Sequence, residues 1–129
     1  SMLQLVDSML SLLEAVWGVV LSLTELHLGD NQLTSLPAEI GQLTSLREFN
    51  VGDNQLKGVP AEIGQLAVLE ELDLYGNQLT SLPAEIGQLT SLTLLFLGGN
   101  RLTRLPAAIR ELTAAGCHVR TDAGVRVDV

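Results

Sequence analysis

Cysteine and lysine are almost missing from this chain: among 129 residues, Cys117 is the only cysteine and Lys57 the only lysine. A single thiol cannot close an intramolecular disulfide, so we expect an intracellular, cytoplasmic setting. Basic residues number 7 against 15 acidic ones, which gives a formal charge of −8. Because affinity for nucleic acids and anionic membranes depends on Lys and Arg, we expect no nucleic-acid partner and no membrane partner.

Aromatic residues are also scarce, at 3% of the chain, whereas apolar residues make up 47%. This composition predicts one folded domain with an aliphatic core. The first 22 residues are strongly apolar, but they lack a basic start and are interrupted by Asp7 and Glu14. Neither a signal peptide nor a membrane span is therefore predicted.

A sequence of 23 residues is repeated through the middle of the chain. The four copies begin at Leu23, Leu46, Leu69 and Leu92. A fixed period of this length predicts a solenoid, in which each unit buries its apolar residues against its neighbours. The surfaces that stacking leaves open are then the places to look for function.

The apolar spacing changes within each copy. Leu26 and Leu28 stand two apart, as in a strand, so the intervening residue faces outward. Farther along the copy, apolar residues stand three apart, as on a helical turn. Pro37 opens that turn, and Gly41 is expected to let it end.

One asparagine recurs in every copy. The four are Asn31, Asn54, Asn77 and Asn100. A buried amide is costly without partners, but stacked amides can bond the unpaired backbone groups of adjacent turns. We interpret these residues as a structural ladder and assign them no catalytic role.

Together these positions form the pattern LxxLxLxxNxLxxLPxxIxxL. Over roughly residues 23 to 122 the chain therefore resembles the leucine-rich repeat family. Its LPAEIG segment is most similar to the intracellular Ras-group type, which also occurs in Roco proteins. The resemblance implies an α/β solenoid: a right-handed horseshoe with a concave parallel β-sheet and short convex helical or 3₁₀ segments. It also implies a protein-binding scaffold. We expect a non-catalytic module, alone or as part of a larger signalling protein, that binds a protein or peptide.

We divide the chain into an N-terminal capping helix (1–22), four repeats (23–114) and a C-terminal β cap (115–129). The N-terminal segment fits either a degraded repeat or a helix, but its polar residues fall within one arc of about 120° on a helical wheel. This favours an amphipathic helix over about residues 3–21, which covers the first repeat.

In the C-terminal segment, Cys117 and Val119 are expected to point inward on a fifth strand. His118 then joins the outward column of His27, and Asp122 takes the asparagine position.

The predicted N-terminal helix has an apolar face of roughly 200°, wider than one packing surface needs. Either the helix lies deep against the first repeat, or its second face contacts another copy of the chain. The helix lacks the basic residues of a membrane-surface helix. The contacts of such a homodimer are predicted to be Leu5, Leu12, Val16 and Val19.

Outward positions on the strands form the predicted binding surface. Its acidic and polar members are Glu25, His27, Glu48, Asn50, Glu71 and Asp73. Its apolar members are Tyr75, Leu94 and Phe96, with Arg101 nearby. Copied repeats can carry acidic residues for solubility alone, but stacked like charges are better explained by a basic partner. We therefore expect a basic protein or peptide with an apolar anchor.

No pattern of residues indicates chemistry. Cys117 and His118 point to opposite faces of a strand, so they cannot act together. His27 and His118 are four strands apart, too far to share a metal ion, and carboxylate pairs on an open sheet lack the loop that would enclose Ca²⁺. We expect no catalytic, cofactor or metal site. A self-associating structural element, built on the N-terminal helix, is the alternative function.

Overall fold

The computed structural model describes residues 2–15 and 22–129. Its centre is a five-stranded parallel sheet in the order β1-β2-β3-β4-β6. The strands of this sheet are β1 (Glu25–His27), β2 (Glu48–Asn50), β3 (Glu71–Asp73), β4 (Leu94–Phe96) and β6 (His118–Arg120). Each strand comes from one turn of the chain, so the sheet runs along one side of a solenoid.

Short helices return the chain to the start of the next strand. Three are 3₁₀ helices: η1 (Ala38–Gln42), η2 (Ala61–Gln65) and η3 (Ala84–Gln88). Each begins directly after a proline; Pro37, for example, precedes η1. The fixed φ of proline suits the extended residue just before the helix. The fourth return segment is an α-helix, α2 (Ala108–Ala114).

Gly41 has a different role from the predicted one. It lies inside η1 and does not end it. A Cβ atom at Gly41 would lie 2.7 Å from the carbonyl oxygen of Glu62, in the next turn. The glycine is required because neighbouring turns approach each other closely there.

The core is a continuous stack of aliphatic side chains. In the first repeat Leu26 and Leu28 are buried and His27 between them is exposed, as the strand spacing predicts. Leu33, Ile40 and Leu43 complete the buried side of that turn. Each such side chain contributes about 1.5–3 kcal/mol through its burial.

The asparagines form the predicted ladder. The Asn54 amide donates hydrogen bonds to the carbonyl oxygens of Leu28 (3.0 Å) and Val51 (2.9 Å), and its Oδ1 accepts from the Leu33 N–H (3.1 Å). Asn77 repeats the pattern one turn later, donating to Val51 and accepting from the Leu56 N–H. Both amides are buried with their donors and acceptors satisfied.

The last turn departs from the period of 23 residues. His118 pairs in register with Leu94, 24 positions earlier, whereas Leu94 pairs with Glu71, 23 positions earlier. The reason lies in the return segment. An α-helix rises about 1.5 Å per residue and a 3₁₀ helix about 2.0 Å, so the α-helical turn needs more residues to cover a similar length.

Two predictions for this segment are therefore wrong. His118 does not share the column of His27; it continues the column of Leu94. Asp122 does not occupy the asparagine position either, because its Oδ2 accepts a hydrogen bond from the Gly99 N–H (3.0 Å) at the corner of the turn.

The C-terminal residues form a second, two-stranded parallel sheet. It pairs β5 (Arg104–Leu105) with β7 (Arg126–Val127). The Arg104 side chain also donates to the Asp128 carboxylate at 2.8 Å. The role of these residues as a cap stays a prediction.

At the other end, α1 covers Met2–Ala15. Val6 is buried to 2% exposure, and Met2 and Met9, four and three positions away on the same helical side, pack partly against the core. Residues 16–21 of the predicted helix lie outside the described residues. The capping role of α1 also stays a prediction.

Candidate functional site

The open face of the parallel sheet carries two columns of side chains in register. The first column contains Glu25, Glu48, Glu71, Leu94 and His118; the second contains His27, Asn50, Asp73, Phe96 and Arg120. The residues between these columns point inward to the leucine core. The structure thus brings together nearly all the residues predicted for the binding surface.

One end of this face is acidic. Glu25, Glu48 and Glu71 stand side by side on β1, β2 and β3. Within the described part of the chain, no lysine or arginine lies at ion-pair distance from them; Arg47 pairs with Glu70 instead, at 3.6 Å. Like charges on neighbouring strands repel, so the arrangement costs stability until a cation or basic group neutralises it.

His27 is a basic group on the same strand face as these glutamates. Its Nε2 lies 3.6 Å from Glu25 Oε2 and 4.0 Å from Glu48 Oε2. Both distances exceed those of a hydrogen bond. The His27 side chain is 58% exposed, so solvent and ligands reach it.

Asn50 and Asp73 also support the backbone. Asn50 Oδ1 accepts from the Gly52 N–H (2.8 Å), and Asp73 Oδ1 accepts from the Tyr75 N–H (2.9 Å). Both side chains close a turn at the end of their strand, as Asn and Asp commonly do. Each therefore offers a ligand fewer free acceptors than the sequence suggested.

The other end of the face is apolar. Leu94 and Phe96 are half-buried on β4. Tyr75 is 52% exposed, and its ring lies along the backbone of Gly98: a Cβ atom there would be 3.4 Å from Tyr75 Cδ2 and Cε2. The glycine leaves room for the ring, which gives the surface a positioned aromatic side chain.

A shallow depression of about 90 Å³ joins the two ends. His27 lines it on one side and Phe96 on the other, and the residues between them are Glu48, Phe49, Asn50, Glu71 and Asp73. A ligand in this depression would touch carboxylates and an aromatic ring together.

The arginine in register with Phe96 is Arg120, which the sequence reasoning missed. The repeat period could not reveal it, because the α-helical last turn changes the spacing. Arg101 is exposed at the corner of the fourth repeat, where its backbone N–H donates to the Leu79 carbonyl at 2.9 Å.

Cys117 is buried, whereas the next residue, His118, is exposed. Burial raises the pKa of the Cys117 thiol above its ordinary value, because the low-dielectric interior disfavours the thiolate. This agrees with the assignment of Cys117 to the core.

Among the predicted dimer contacts, the structure describes the exposure of Leu5, which is 50%. Leu12 lies in α1, but its side chain is outside the described part of the structure, as are Val16 and Val19. Within residues 2–15 and 22–129, no helix has the length and apolar character needed to cross a membrane.

Several solved structures share this architecture. A leucine-rich repeat protein of Leptospira interrogans is 41% identical, with a TM-score of 0.68; the similarity covers 76% of this chain and 25% of that one. A TDR receptor is 28% identical over 81% of this chain and 18% of its own, with a TM-score of 0.70. The ectodomain of the receptor kinase SOBIR1 from Arabidopsis thaliana, at 22% identity, shows the same fold, with a TM-score of 0.68 and coverage of 81% and 61%.

This chain spans less than two thirds of the length of each of these proteins. No curated protein sequence matches it significantly. The family model for a leucine-rich repeat region matches residues 6–115, which is most of the chain. The stacked strands, the asparagine ladder and this match together establish that the chain belongs to the leucine-rich repeat family.

Proposed function

We propose that this chain is a non-catalytic module that binds a basic protein or peptide on the open face of its sheet. Leucine-rich repeat domains are common protein-interaction modules, and solenoids present extended concave binding surfaces. The observation that carries the proposal is the depression in which carboxylates and the Phe96 ring lie together.

Charge and apolar contact have separate tasks in this proposal. The column of Glu25, Glu48 and Glu71 attracts a positively charged ligand and speeds its encounter. Phe96 and Tyr75 then bury an apolar side chain of the ligand, which supplies most of the affinity. A ligand that carries Lys or Arg close to an apolar side chain therefore fits this surface.

To test this, the chain is immobilised and used to select binding peptides from a displayed library of random sequences. We expect enrichment of peptides that combine Lys or Arg with a leucine or aromatic residue. With a selected peptide, Phe96→Ala should weaken binding about 30-fold, the effect of removing a hot-spot anchor. Glu48→Lys with Glu71→Lys should also weaken binding, and the wild-type affinity should fall as salt is raised.

The matched control is Glu62→Lys with Glu85→Lys, which makes the same charge change on the 3₁₀ helices of the opposite side. If this control weakens binding as much as the sheet variants, or if the selected peptides are acidic, the proposal is wrong.

A second candidate is self-association through α1. Val6 packs against the core while Leu5, its neighbour on another side of the helix, remains half exposed. Under this hypothesis Leu5, Leu12, Val16 and Val19 contact a second copy of the chain.

We place the module inside the cell, in the cytoplasm, as part of a signalling scaffold. The buried, unpaired thiol of Cys117 suits a reducing compartment.

A further inference from the structure

Two carboxylates and an imidazole converge at the β1 edge of the sheet. One oxygen each from Glu25 and Glu48 and one nitrogen of His27 all lie within 4.8 Å of one another. Strand geometry holds them there. Glu25 and His27 are two apart on β1 and so share a face, and Glu48 is paired in register with Glu25 on β2.

His27 does not form hydrogen bonds with the two glutamates. The Nε2 of His27 is 3.6 Å from Glu25 and 4.0 Å from Glu48, too far for hydrogen bonds. Their side chains are 58% exposed at Glu25 and His27 and 40% at Glu48. An ion from solvent can therefore reach all three donors without opening the fold.

Local charge favours a divalent cation at this position. Glu25 and Glu48 repel each other across adjacent strands, and Glu71 extends the negative column by one more strand. None of the arginines and lysines that the structure describes pairs with these carboxylates. Arg47 lines a depression with Glu25 and Glu48 but pairs directly with Glu70, so a bound cation would be the closest positive charge to these carboxylates.

The donor set identifies the kind of ion. Zinc binds imidazole nitrogen and carboxylate oxygen at about 2.0–2.2 Å, which places tetrahedral donors about 3.3 Å apart. The present separations require small rotations of exposed side chains. Calcium and magnesium prefer all-oxygen sites with more ligands, so the imidazole selects against them.

We propose that Glu25, His27 and Glu48 form a zinc-binding site at the β1 edge of the sheet, with water completing the coordination. His27 and Glu48 also line the depression on the open face, so the ion would lie at its acidic end. The inference does not depend on peptide binding, because zinc binding is a property of the chain alone.

The test is a calorimetric titration of the untagged, metal-stripped chain with zinc chloride, in a buffer that does not chelate zinc. We expect one equivalent to bind saturably. His27→Ala and Glu48→Gln should each weaken binding about tenfold or more, since even removal of a group that merely orients a ligand commonly costs 10–100-fold. Cobalt substitution should give a visible absorption band that His27→Ala abolishes.

The controls are His118→Ala and Glu62→Gln, which change the other exposed histidine and a carboxylate on η2, away from the sheet. Both should bind zinc like the wild type. Absence of saturable binding, or equal weakening by the controls, would overturn the proposal. Circular dichroism of each variant shows that a loss of binding does not result from unfolding.

Discussion

At the scale of single residues, the ladder asparagines hold adjacent turns together through main-chain groups. Asn54 reaches the Leu28 carbonyl and the Leu33 N–H, which belong to the preceding turn, and the Val51 carbonyl of its own. Leucine burial supplies most of the stability, but it is non-directional. The amide bonds are directional, and they fix how far each turn lies from the next.

Replacement of Asn54 with alanine should therefore destabilise the fold by about 3 kcal/mol, because buried N–H and carbonyl groups lose their partners. The midpoint of urea unfolding, followed by circular dichroism, measures the effect. Gln55→Ala is the matched control, because it makes a similar change at the exposed residue next to Asn54. A similar midpoint for the two variants would show that the ladder contributes little.

At the scale of elements, the 3₁₀ helices pack so closely that a side chain is excluded between them. A Cβ atom at Gly64, in η2, would lie 2.6 Å from the Glu85 carbonyl oxygen of η3. Backbone atoms cannot yield as the end of a flexible side chain does. The spacing of turns on this side of the solenoid therefore depends on glycine.

We expect Gly64→Ala to destabilise the chain by about 1–3 kcal/mol through this overpacking. Gly58 provides the control, because a Cβ atom there meets nothing within 4 Å. Gly58→Ala should be neutral or slightly stabilising, since it restricts the unfolded chain. Thermal unfolding of both variants separates the contact from the general effect of alanine; equal shifts would contradict the packing argument.

At the scale of the whole molecule, charge and apolar surface are distributed unevenly along the solenoid. The β1 end of the sheet carries glutamates and His27, and the β6 end carries Phe96, His118 and Arg120. The N-terminal helix α1 adds another apolar surface, the exposed side chain of Leu5. A partner on the sheet and a second copy on the helix would use different surfaces.

Self-association through α1 predicts that the wild-type chain sediments as a dimer and that Leu5→Asp or Leu12→Asp shifts it to a monomer. Val68→Asp is the control, because Val68 is an exposed apolar residue outside α1. Analytical ultracentrifugation over a range of concentrations measures the change. A wild type that remains monomeric at high concentration would refute this role for the helix.

The repeat period was sufficient to predict the inward leucines, the outward columns and the bonding of Asn54, because each depends on position within one unit. It was not sufficient for His118 and Arg120, whose register depends on the length of α2. The role of Gly41 depends on its distance from the next turn, which no pattern within one turn reveals.

The meeting of His27 with two glutamates was also missed. Distance along the solenoid excludes a site shared by His27 and His118, but an imidazole can also meet carboxylates on its own strand and on the next one. The spacing Glu25-x-His27, with Glu48 one period later, is the signal that would have found it.

The asparagine ladder has a consequence for how this surface can change over evolutionary time. Its bonds run through main-chain groups and one buried amide per turn, and they involve none of the side chains at positions 25, 48, 71, 94 and 96. Mutations at those five positions can therefore alter the chemistry of the open face while the inherited scaffold stays intact. Duplication of a whole turn would lengthen the surface by one strand and supply new positions for selection to act on.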